Sequence, residues 1–206
     1  MKVLLINGSP HEKGCTYTAL SLIAGELKAQ GIDTEILHVG GQPVGGCIGC
    51  GGCRSGNGCV FGGVVNEAIE KAKTADAFVF GSPVHYASAA GNMASFMDRL
   101  AYAGGKYLAY KPAAVCCSAR RAGTTSTLDQ LVKYPQFFHM PLVNGSYWAM
   151  VHGSNPEQVL QDAEGCAVMQ ELGRNMAWLL HCIEAGKAAG IDHPQNPPRP
   201  MTNFIR

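Results

Sequence analysis

The chain has 206 residues and a net charge of +1, which suits one well-buried α/β domain and, without any basic run, argues against a nucleic-acid or anionic-membrane partner. No apolar stretch approaches twenty residues, and the N-terminal MKVLLINGSP has no signal-peptide cleavage pattern. Nine cysteines, an odd number, suit reduced thiols or metal ligands, so we expect a cytoplasmic protein.

Apolar strands alternate with helices along the chain. Strands are predicted at 2–6, 34–39, 77–81, 113–118 and 141–144, and helices at 16–30, 64–73, 90–101, 125–133 and 156–188. This alternation predicts a doubly wound α/β fold, with a five-stranded parallel sheet of order 2-1-3-4-5 and helices on both faces. Residues 1–190 form the domain, and the proline-rich residues 191–206 are expected to form an extended arm over the same or a neighbouring subunit.

The first strand leads into a glycine- and hydroxyl-rich turn, LINGSPHEKGCT, at residues 5–16. A helix start carries unpaired N–H groups and positive charge, so Gly14 to Tyr17 offer donors to an anion, and Ser9 and Thr16 add hydroxyls. The turn matches neither the Walker pattern nor GxGxxG, which favours a single terminal phosphate over a nucleoside triphosphate or a dinucleotide. The alternative is an ordinary strand-to-helix connection capped by Thr16.

Two further loops, SPVHYAS and SARRAGTT, follow the third and fourth strands, so all three loops should meet at the switch point of the sheet. A flat heteroaromatic ring held there needs cover for its faces and polar groups at its edge. The candidates for cover are Pro83, Val84, His85 and Tyr86, and those for the edge are Ser118, Arg120, Arg121, Gly123 and Thr124. Surface packing is the alternative for His85 and Tyr86.

A cysteine loop with the spacing C-x2-C-x2-C-x5-C follows the second strand and comprises Cys47, Cys50, Cys53 and Cys59. Residues 45–63 contain nine glycines, and Arg54 is their only charged residue. Four thiolates on a backbone that can wrap a cubane are what a 4Fe-4S cluster needs. Reduced structural or redox-active thiols are favoured over the cluster, and zinc is a third alternative. The remaining cysteines of the strands and the last helix, Cys116, Cys117, Cys166 and Cys182, are predicted to be small buried hydrophobes.

Taken together, NGSPHEKGCT, the cysteine loop, FGSPVHYASAAGNMASFMDR and SARRAGTT resemble the NADPH-dependent FMN reductase family of flavodoxin-like proteins over essentially the full length. The resemblance implies a flavodoxin-like fold that binds FMN. It puts Ser9, His11, Cys15, Thr16 and Tyr17 at the phosphate, Pro83 to Ala87 along the isoalloxazine, and Ser118 to Thr124 over the pyrimidine end. His11 and Cys15 stand where the family commonly has Arg and Asn.

The cysteine loop resembles the compact motif of iron-sulfur flavoproteins, which pass electrons between a 4Fe-4S cluster and FMN. Other relatives carry the same loop without a cluster, and there it lines a dimer interface or the edge of the flavin. This chain has Gly62 and Gly63 where acidic residues often follow the fourth cysteine of the loop.

The resemblance implies an FMN-dependent oxidoreductase that takes hydride from NAD(P)H as co-substrate. The electrons would pass to a small organic acceptor such as a quinone, a flavin, or an azo or nitro compound. The flavin carries the chemistry, so no catalytic side chain is assigned, and a homodimer or higher homo-oligomer is expected. The alternatives are an electron carrier that exchanges electrons with ferredoxin, which the balanced charge disfavours, and a flavin- or nucleotide-sensing module without turnover.

Overall fold

The computed structural model describes residues 1–198 and 200–204. The strands are β1 (Lys2–Asn7), β2 (Asp33–His38), β3 (Ala77–His85), β4 (Ser88–Ala89), β5 (Ala113–Ala119) and β6 (Met150–His152). The α-helices are α1 (Cys15–Ala29), α2 (Val64–Thr74), α3 (Gly91–Gly104), α4 (Thr124–Phe137), α5 (Pro156–Val159) and α6 (Ala163–Ala188). Short 3-10 turns cover Gly52–Ser55 and Gly105–Tyr107.

The main sheet is parallel and has the order β2-β1-β3-β5-β6. The two-residue strand β4 lies off this path and pairs antiparallel with the end of β3. When β4 is set aside, the order is the predicted 2-1-3-4-5, so the doubly wound fold is confirmed. The carboxyl ends of β1, β3 and β5 therefore lie side by side at the switch point.

Two apolar cores cover the two faces of the sheet. Successive residues of β1 alternate between them: Val3 and Leu5 join the core under α1 and α6, and Leu4 and Ile6 join the core under α2 and α3. Strands buried on both faces are apolar throughout, which is why β1 and β3 were predictable as continuous apolar runs.

The predicted fifth strand at 141–144 is wrong. Leu142 makes a single bridge to Ala113, the chain then leaves the sheet, and it returns as β6. Val143 N–H donates to Ala113 O at 2.8 Å, and Cys117 N–H donates to Ala149 O at 3.0 Å, so the chain touches β5 at two separated places. The segment between them, residues 144–148, turns outward, where the N–H and the hydroxyl of Ser146 donate to Glu171 on α6.

The single last helix predicted at 156–188 is two helices, α5 and α6, separated at residues 160–162. Asp162 causes the break, because its carboxylate accepts the N–H of Gly165 at 2.9 Å and so caps the start of α6. The same carboxylate accepts the N–H of His152 at 2.8 Å and ties this cap to the edge strand.

The predicted C-terminal arm contacts the domain at Tyr110. The ring of His193 stacks on that of Tyr110 with centroids 4.3 Å apart, and Asn196 Nδ2 donates to the Tyr110 hydroxyl at 2.7 Å. The part of the expectation that concerns residues 199, 205 and 206 lies outside the described residues. Across the described part of the chain, none of the helices combines the length and apolarity needed to cross a bilayer.

Candidate functional site

The turn after β1 is held in shape by Asn7, a fully buried residue that the sequence analysis did not single out. Asn7 Oδ1 accepts the N–H of Ser9 at 3.1 Å, and Asn7 Nδ2 donates to the carbonyl of Glu12 at 2.9 Å. The N–H of His11 donates to Ser9 Oγ at 3.1 Å, which leaves the Ser9 hydroxyl free to donate elsewhere. A polar side chain closing a buried apolar strand was the signal in the sequence for Asn7.

The start of α1 has no side-chain cap. Gly14 occupies the cap position, and Thr16 Oγ1 instead lies 2.8 Å from Ser118 Oγ at the end of β5. The alternative of a Thr16 cap is therefore wrong, and the first turn keeps N–H groups for an anion. One hydroxyl of the buried Thr16–Ser118 pair donates to the other, so one hydroxyl hydrogen is left for a ligand.

Three other residues predicted near the anion differ in exposure. His11 is exposed, and Tyr17 is half-buried on the first turn of α1. The Cys15 thiol donates to the carbonyl of Gly153 at 3.6 Å. Burial and, to a lesser extent, Glu157 raise the pKa of Cys15, so its thiol stays neutral and does not repel an anion at the helix start.

The loop after β3 is a hairpin. Val84 pairs with Ala89 and His85 with Ser88, so Tyr86 and Ala87 form the two-residue turn between β3 and β4. Both turn residues have positive φ, 51° for Tyr86 and 59° for Ala87, as primed hairpin turns require. The side chain of Tyr86 is fully exposed, and Pro83 and Val84 are half-buried. The strained turn and its exposed aromatic ring make this loop a candidate for ligand contact.

The loop after β5 lies against this hairpin. Gly123 has a φ of 95°, and a Cβ there would stand 2.7 Å from the Cα of Ala87. Ser126 Oγ donates to the carbonyl of Ala87 at 2.7 Å. Gln130 of α4 accepts from both the hydroxyl of Ser88 and the N–H of Ala89 at 2.9 Å. These contacts fix the hairpin through α4, a support that sequence reasoning missed.

All three loops thus meet at one rim. Gly8 N–H donates to the carbonyl of Gly81 at 2.9 Å and joins the first loop to the strand that carries the second. The Thr16–Ser118 bond joins the first loop to the third. Thr124 is buried at the start of α4, whereas Arg120 and Arg121 are exposed at the rim. The rim combines anion donors, an aromatic and apolar hairpin and two guanidinium groups, which suits a ring that carries a phosphate.

The segment after β2 packs against the turn and leads to the cysteine loop. His38 Nε2 lies 2.7 Å from the carbonyl oxygen of Ser9. Asn92, on the first turn of α3, accepts the N–H of Val44 and donates to the carbonyls of Gly40 and Gln42. The residues that bring the cysteine loop near the turn are therefore His38 and Asn92, neither of which the sequence analysis singled out.

The four cysteines of the loop line one pocket of about 320 Å³. All are free thiols: Cys47 and Cys50 are exposed, and Cys53 and Cys59 are partly buried. No three His, Cys, Asp or Glu side chains in residues 1–198 and 200–204 stand close enough together to form a finished metal site. The donor set suits a 4Fe-4S cluster by its chemistry, because four cysteines line one pocket on a glycine-rich backbone that can close around a bound group.

The remaining cysteines are only partly as predicted. Cys116 and Cys117 are buried on β5, as expected for small hydrophobes, and burial raises the pKa of Cys117 to about 12. Cys166 is half-buried and donates to the carbonyl of Val159 at 3.2 Å. The prediction for Cys182 is wrong, because its side chain is exposed on α6.

Comparison with known proteins identifies the family. The family described as NADPH-dependent FMN reductase matches residues 1–155, about three quarters of the chain. An iron-sulfur flavoprotein from Methanocaldococcus jannaschii is 27% identical over 192 residues, which cover 89% of this chain and all of the relative. An iron-sulfur flavoprotein from Archaeoglobus fulgidus is 35% identical over 99 residues, 48% of each chain.

Solved structures share the fold. An NADH:FMN oxidoreductase in its apo form superposes with a TM-score of 0.61 at 18% identity, covering 88% of this chain and 89% of the other. An archaeal flavodoxin gives a TM-score of 0.60 at 14% identity, covering 88% and 99%. The predicted flavodoxin-like fold and the family resemblance are confirmed. The chain belongs to the NADPH-dependent FMN reductase family and is a flavin-dependent oxidoreductase with FMN as its cofactor.

Proposed function

We propose that the protein binds FMN at the three-loop rim, takes hydride from NAD(P)H, and passes the electrons to a small organic acceptor such as a quinone, a flavin, or an azo or nitro compound. The observation that carries this proposal is the uncapped start of α1 beside a turn whose shape Asn7 fixes. An uncapped helix start of this kind is a ready site for a terminal phosphate. The family match supports the cofactor, and the NAD(P)H donor and the acceptor class are the proposal.

The phosphate is assigned to the first turn of α1. Backbone N–H groups of Cys15, Thr16 and Tyr17 supply its donors, together with the Ser9 hydroxyl and the one hydroxyl hydrogen that the Thr16–Ser118 pair leaves over. The side chain of His11 stands exposed beside the turn and adds a ring N–H in place of the guanidinium that the family commonly has there. We expect this donor set to bind a phosphate monoester through several charge-assisted hydrogen bonds.

The ring is assigned to the hairpin and the loop after β5. Residues 83–87 cover one face, and Gly123 lets the backbone after β5 approach the hairpin closely. Arg120 and Arg121 offer positive charge at the edge, which favours the reduced, more negative ring. Bound FMN supplies the hydride-accepting chemistry, so the contribution of the protein is placement, with the nicotinamide stacked over the exposed face.

The first test is FMN binding. The substitution Thr16→Val removes the buried hydroxyl at the phosphate position, and Thr18→Val is its matched control, since the Thr18 hydroxyl only bonds back to the carbonyl of Gly14 at 3.2 Å. Hydrogen bonds to charged groups contribute about 1.5–3 kcal/mol, so we expect the Kd for FMN to rise at least about tenfold for Thr16→Val. An unchanged Kd for Thr16→Val would refute the assignment of the FMN phosphate to the first turn of α1.

The second test is turnover. The FMN-loaded protein is mixed anaerobically with NADPH or NADH and with a quinone, a free flavin, an azo or a nitro compound. Oxidation of the nicotinamide is followed by the loss of its near-ultraviolet absorbance. We expect steady-state oxidation with at least one acceptor. FMN-loaded protein that oxidises neither nicotinamide would instead be a carrier or a sensor.

The cysteine pocket favours a second candidate function, an iron-sulfur flavoprotein that exchanges electrons with ferredoxin. We propose that Cys47, Cys50, Cys53 and Cys59 bind a 4Fe-4S cluster. Two observations support this: the four cysteines line one pocket, and the relatives named above are iron-sulfur flavoproteins. We therefore prefer the cluster to the free thiols that the sequence analysis favoured. Such an iron-sulfur flavoprotein would be an electron relay: it would transfer single electrons and would not require a small-molecule acceptor.

Anaerobic purification followed by iron and sulfide analysis and an ultraviolet–visible spectrum tests the cluster. We expect iron and sulfide in equal amounts in the wild type. Cys50→Ser should lose both, and Cys182→Ser is the matched control because Cys182 is an exposed thiol on α6. An iron-free wild-type preparation made under these conditions would exclude the relay.

We also propose that the protein is a homodimer. Four large apolar side chains around the cysteine pocket are more than half exposed, namely Ile48 at 71%, Val60 at 62%, Phe61 at 55% and Tyr102 at 75%. Exposed apolar surface of this kind is stabilised when a second copy covers it. Light scattering on a size-exclusion column should give twice the chain mass, and a monomer at micromolar concentration would contradict the proposal.

A further inference from the structure

Arg99 lies on α3 and is buried beside the cysteine pocket, with only 7% of its surface exposed. Its Nε donates to the sulfur of Cys59 at 3.2 Å. Its Nη1 donates to the carbonyl of Gly45 at 3.3 Å, and its Nη2 donates to the carbonyl of Gly62 at 3.0 Å. One guanidinium therefore joins both ends of the cysteine loop and contacts the sulfur of its fourth cysteine.

The charge of Arg99 is not balanced by a carboxylate of residues 1–198 or 200–204. Within the part of the chain that the structure describes, no Asp or Glu oxygen lies within ion-pair distance of its guanidinium, and none lines the pocket. The remaining contact is the ring of Phe61, with the guanidinium carbon 5.6 Å from its centroid. A buried cation is costly unless an anion accompanies it. The groups in this pocket that become anionic when they bind a metal are the cysteine sulfurs.

We propose that Arg99 is a positioning residue that clamps the cysteine loop in its ligating shape and raises the reduction potential of the cluster by donating to Cys59. This inference rests on the proposed 4Fe-4S cluster. The reduced cluster carries one more negative charge than the oxidised cluster, so a nearby guanidinium stabilises the reduced state more. Hydrogen bonds to ligand sulfurs act in the same direction, and both are known determinants of cluster potentials.

The two roles of Arg99 are separable by substitution. A guanidinium is a planar fork that reaches a sulfur and two carbonyls together, whereas an ammonium is a point charge that cannot keep all three directions. Arg99→Lys therefore keeps the charge and loses the clamp, and Arg99→Met loses both. Arg54 lines the same pocket but is exposed, so Arg54→Gln removes a positive charge from the loop without removing a buried contact and is the matched control.

The experiment uses anaerobically purified wild type and the three variants. Iron, sulfide and FMN contents are measured first. Each cluster is then reduced by one electron with dithionite in a potentiometric titration followed by the EPR signal of the reduced cluster. For Arg99→Met we expect the reduction equilibrium constant to fall at least about tenfold, a shift of about 59 mV to lower potential for one electron. Arg99→Lys should shift less and hold less iron, and Arg54→Gln should shift the potential much less than Arg99→Met, because water screens its exposed charge. FMN content should be equal in all four.

The outcomes distinguish this inference from the function on which it rests. If the wild type holds iron and the Arg99 variants titrate at its potential with full iron content, the role of Arg99 is refuted and the iron-sulfur flavoprotein proposal stands. A shift in Arg54→Gln as large as that in Arg99→Met also refutes it, because any loop charge would then suffice. If Arg99→Met keeps FMN and loses iron, the role of Arg99 in holding the cysteine loop is supported. The effect of Arg99 on the reduction potential of the cluster is then tested with Arg99→Lys. An iron-free wild type refutes both proposals together.

Discussion

Gly40, just after β2, passes so close to the phosphate turn that any side chain there collides with it. A Cβ at residue 40 would stand 2.1 Å from the carbonyl oxygen of Ser9, where ordinary contact begins near 3.4 Å. Gly40→Ala must therefore move the Ser9 backbone by about 1 Å, against the contact that His38 makes to the same oxygen. Overpacking of this kind lowers the free energy of unfolding by about 1–3 kcal/mol. Because Ser9 is an assigned phosphate ligand, this displacement misaligns its hydrogen bond to the phosphate. Hydrogen bonds to charged groups contribute about 1.5–3 kcal/mol, so we expect the Kd for FMN to rise about tenfold or more, at 1.4 kcal/mol per factor of ten.

The assay is a fluorescence titration of FMN with apoprotein, in which binding quenches flavin emission. Gly45→Ala is the matched control, because nothing lies within 4 Å of a Cβ at residue 45. It should bind FMN as the wild type does. Circular dichroism checks that both variants are folded. A folded Gly40→Ala protein with the wild-type Kd would refute the argument that the shape of this turn sets FMN affinity.

Three further predictions concern stability and reactivity. Gly123→Ala places a Cβ against the hairpin at a φ of 95°, so we expect a loss of about 1–3 kcal/mol in urea unfolding, and an unchanged midpoint would contradict the contact. Lys2 and Lys71 lower the pKa of Glu35 in the folded protein. The ionised Glu35 therefore stabilises the fold at any pH above the pKa that it has in the unfolded chain. This stabilisation is lost as the pH falls through the lower pKa of the folded protein. Glu35→Gln should lower the Tm slightly at pH 7, and the difference from the wild type should close well below about pH 4. Cys117, with its pKa raised to about 12, should resist iodoacetamide at pH 8 in the native protein and react in urea, as measured by mass spectrometry.

Local patterns predicted the elements whose environment is uniform along their length. The strand β1 and the first half of β3 are buried on both faces and are mostly continuous apolar runs, so their positions followed from the sequence. The fifth strand was predicted at the wrong position because the apolar run at 141–143 has the pattern of a strand. The position of a strand also depends on its pairing partner, here β5, which the local sequence does not contain. Ala149, six residues beyond Val143, makes the second contact with β5. The break before α6 had a local signal in Asp162, which the helical periodicity around it concealed.

The candidate site also has a part that the sequence predicted and a part that it did not. The loops that follow β1, β3 and β5 were predictable, because parallel strands bring their carboxyl ends to one edge of the sheet. The residues that hold those loops in place were not, since their partners are remote in the sequence. Arg99 is 40 residues from Cys59, and Asn92 is 48 residues from Val44. A charged residue among the buried positions of α3 was the available signal for Arg99, but spacing alone does not say what it faces. The cysteine spacing by itself fits a 4Fe-4S cluster, zinc or free thiols. The buried guanidinium of Arg99, which favours an anionic group in the cysteine pocket, is a further observation in favour of the proposed cluster, and the sequence did not reveal it because its contacts form only in the packed structure.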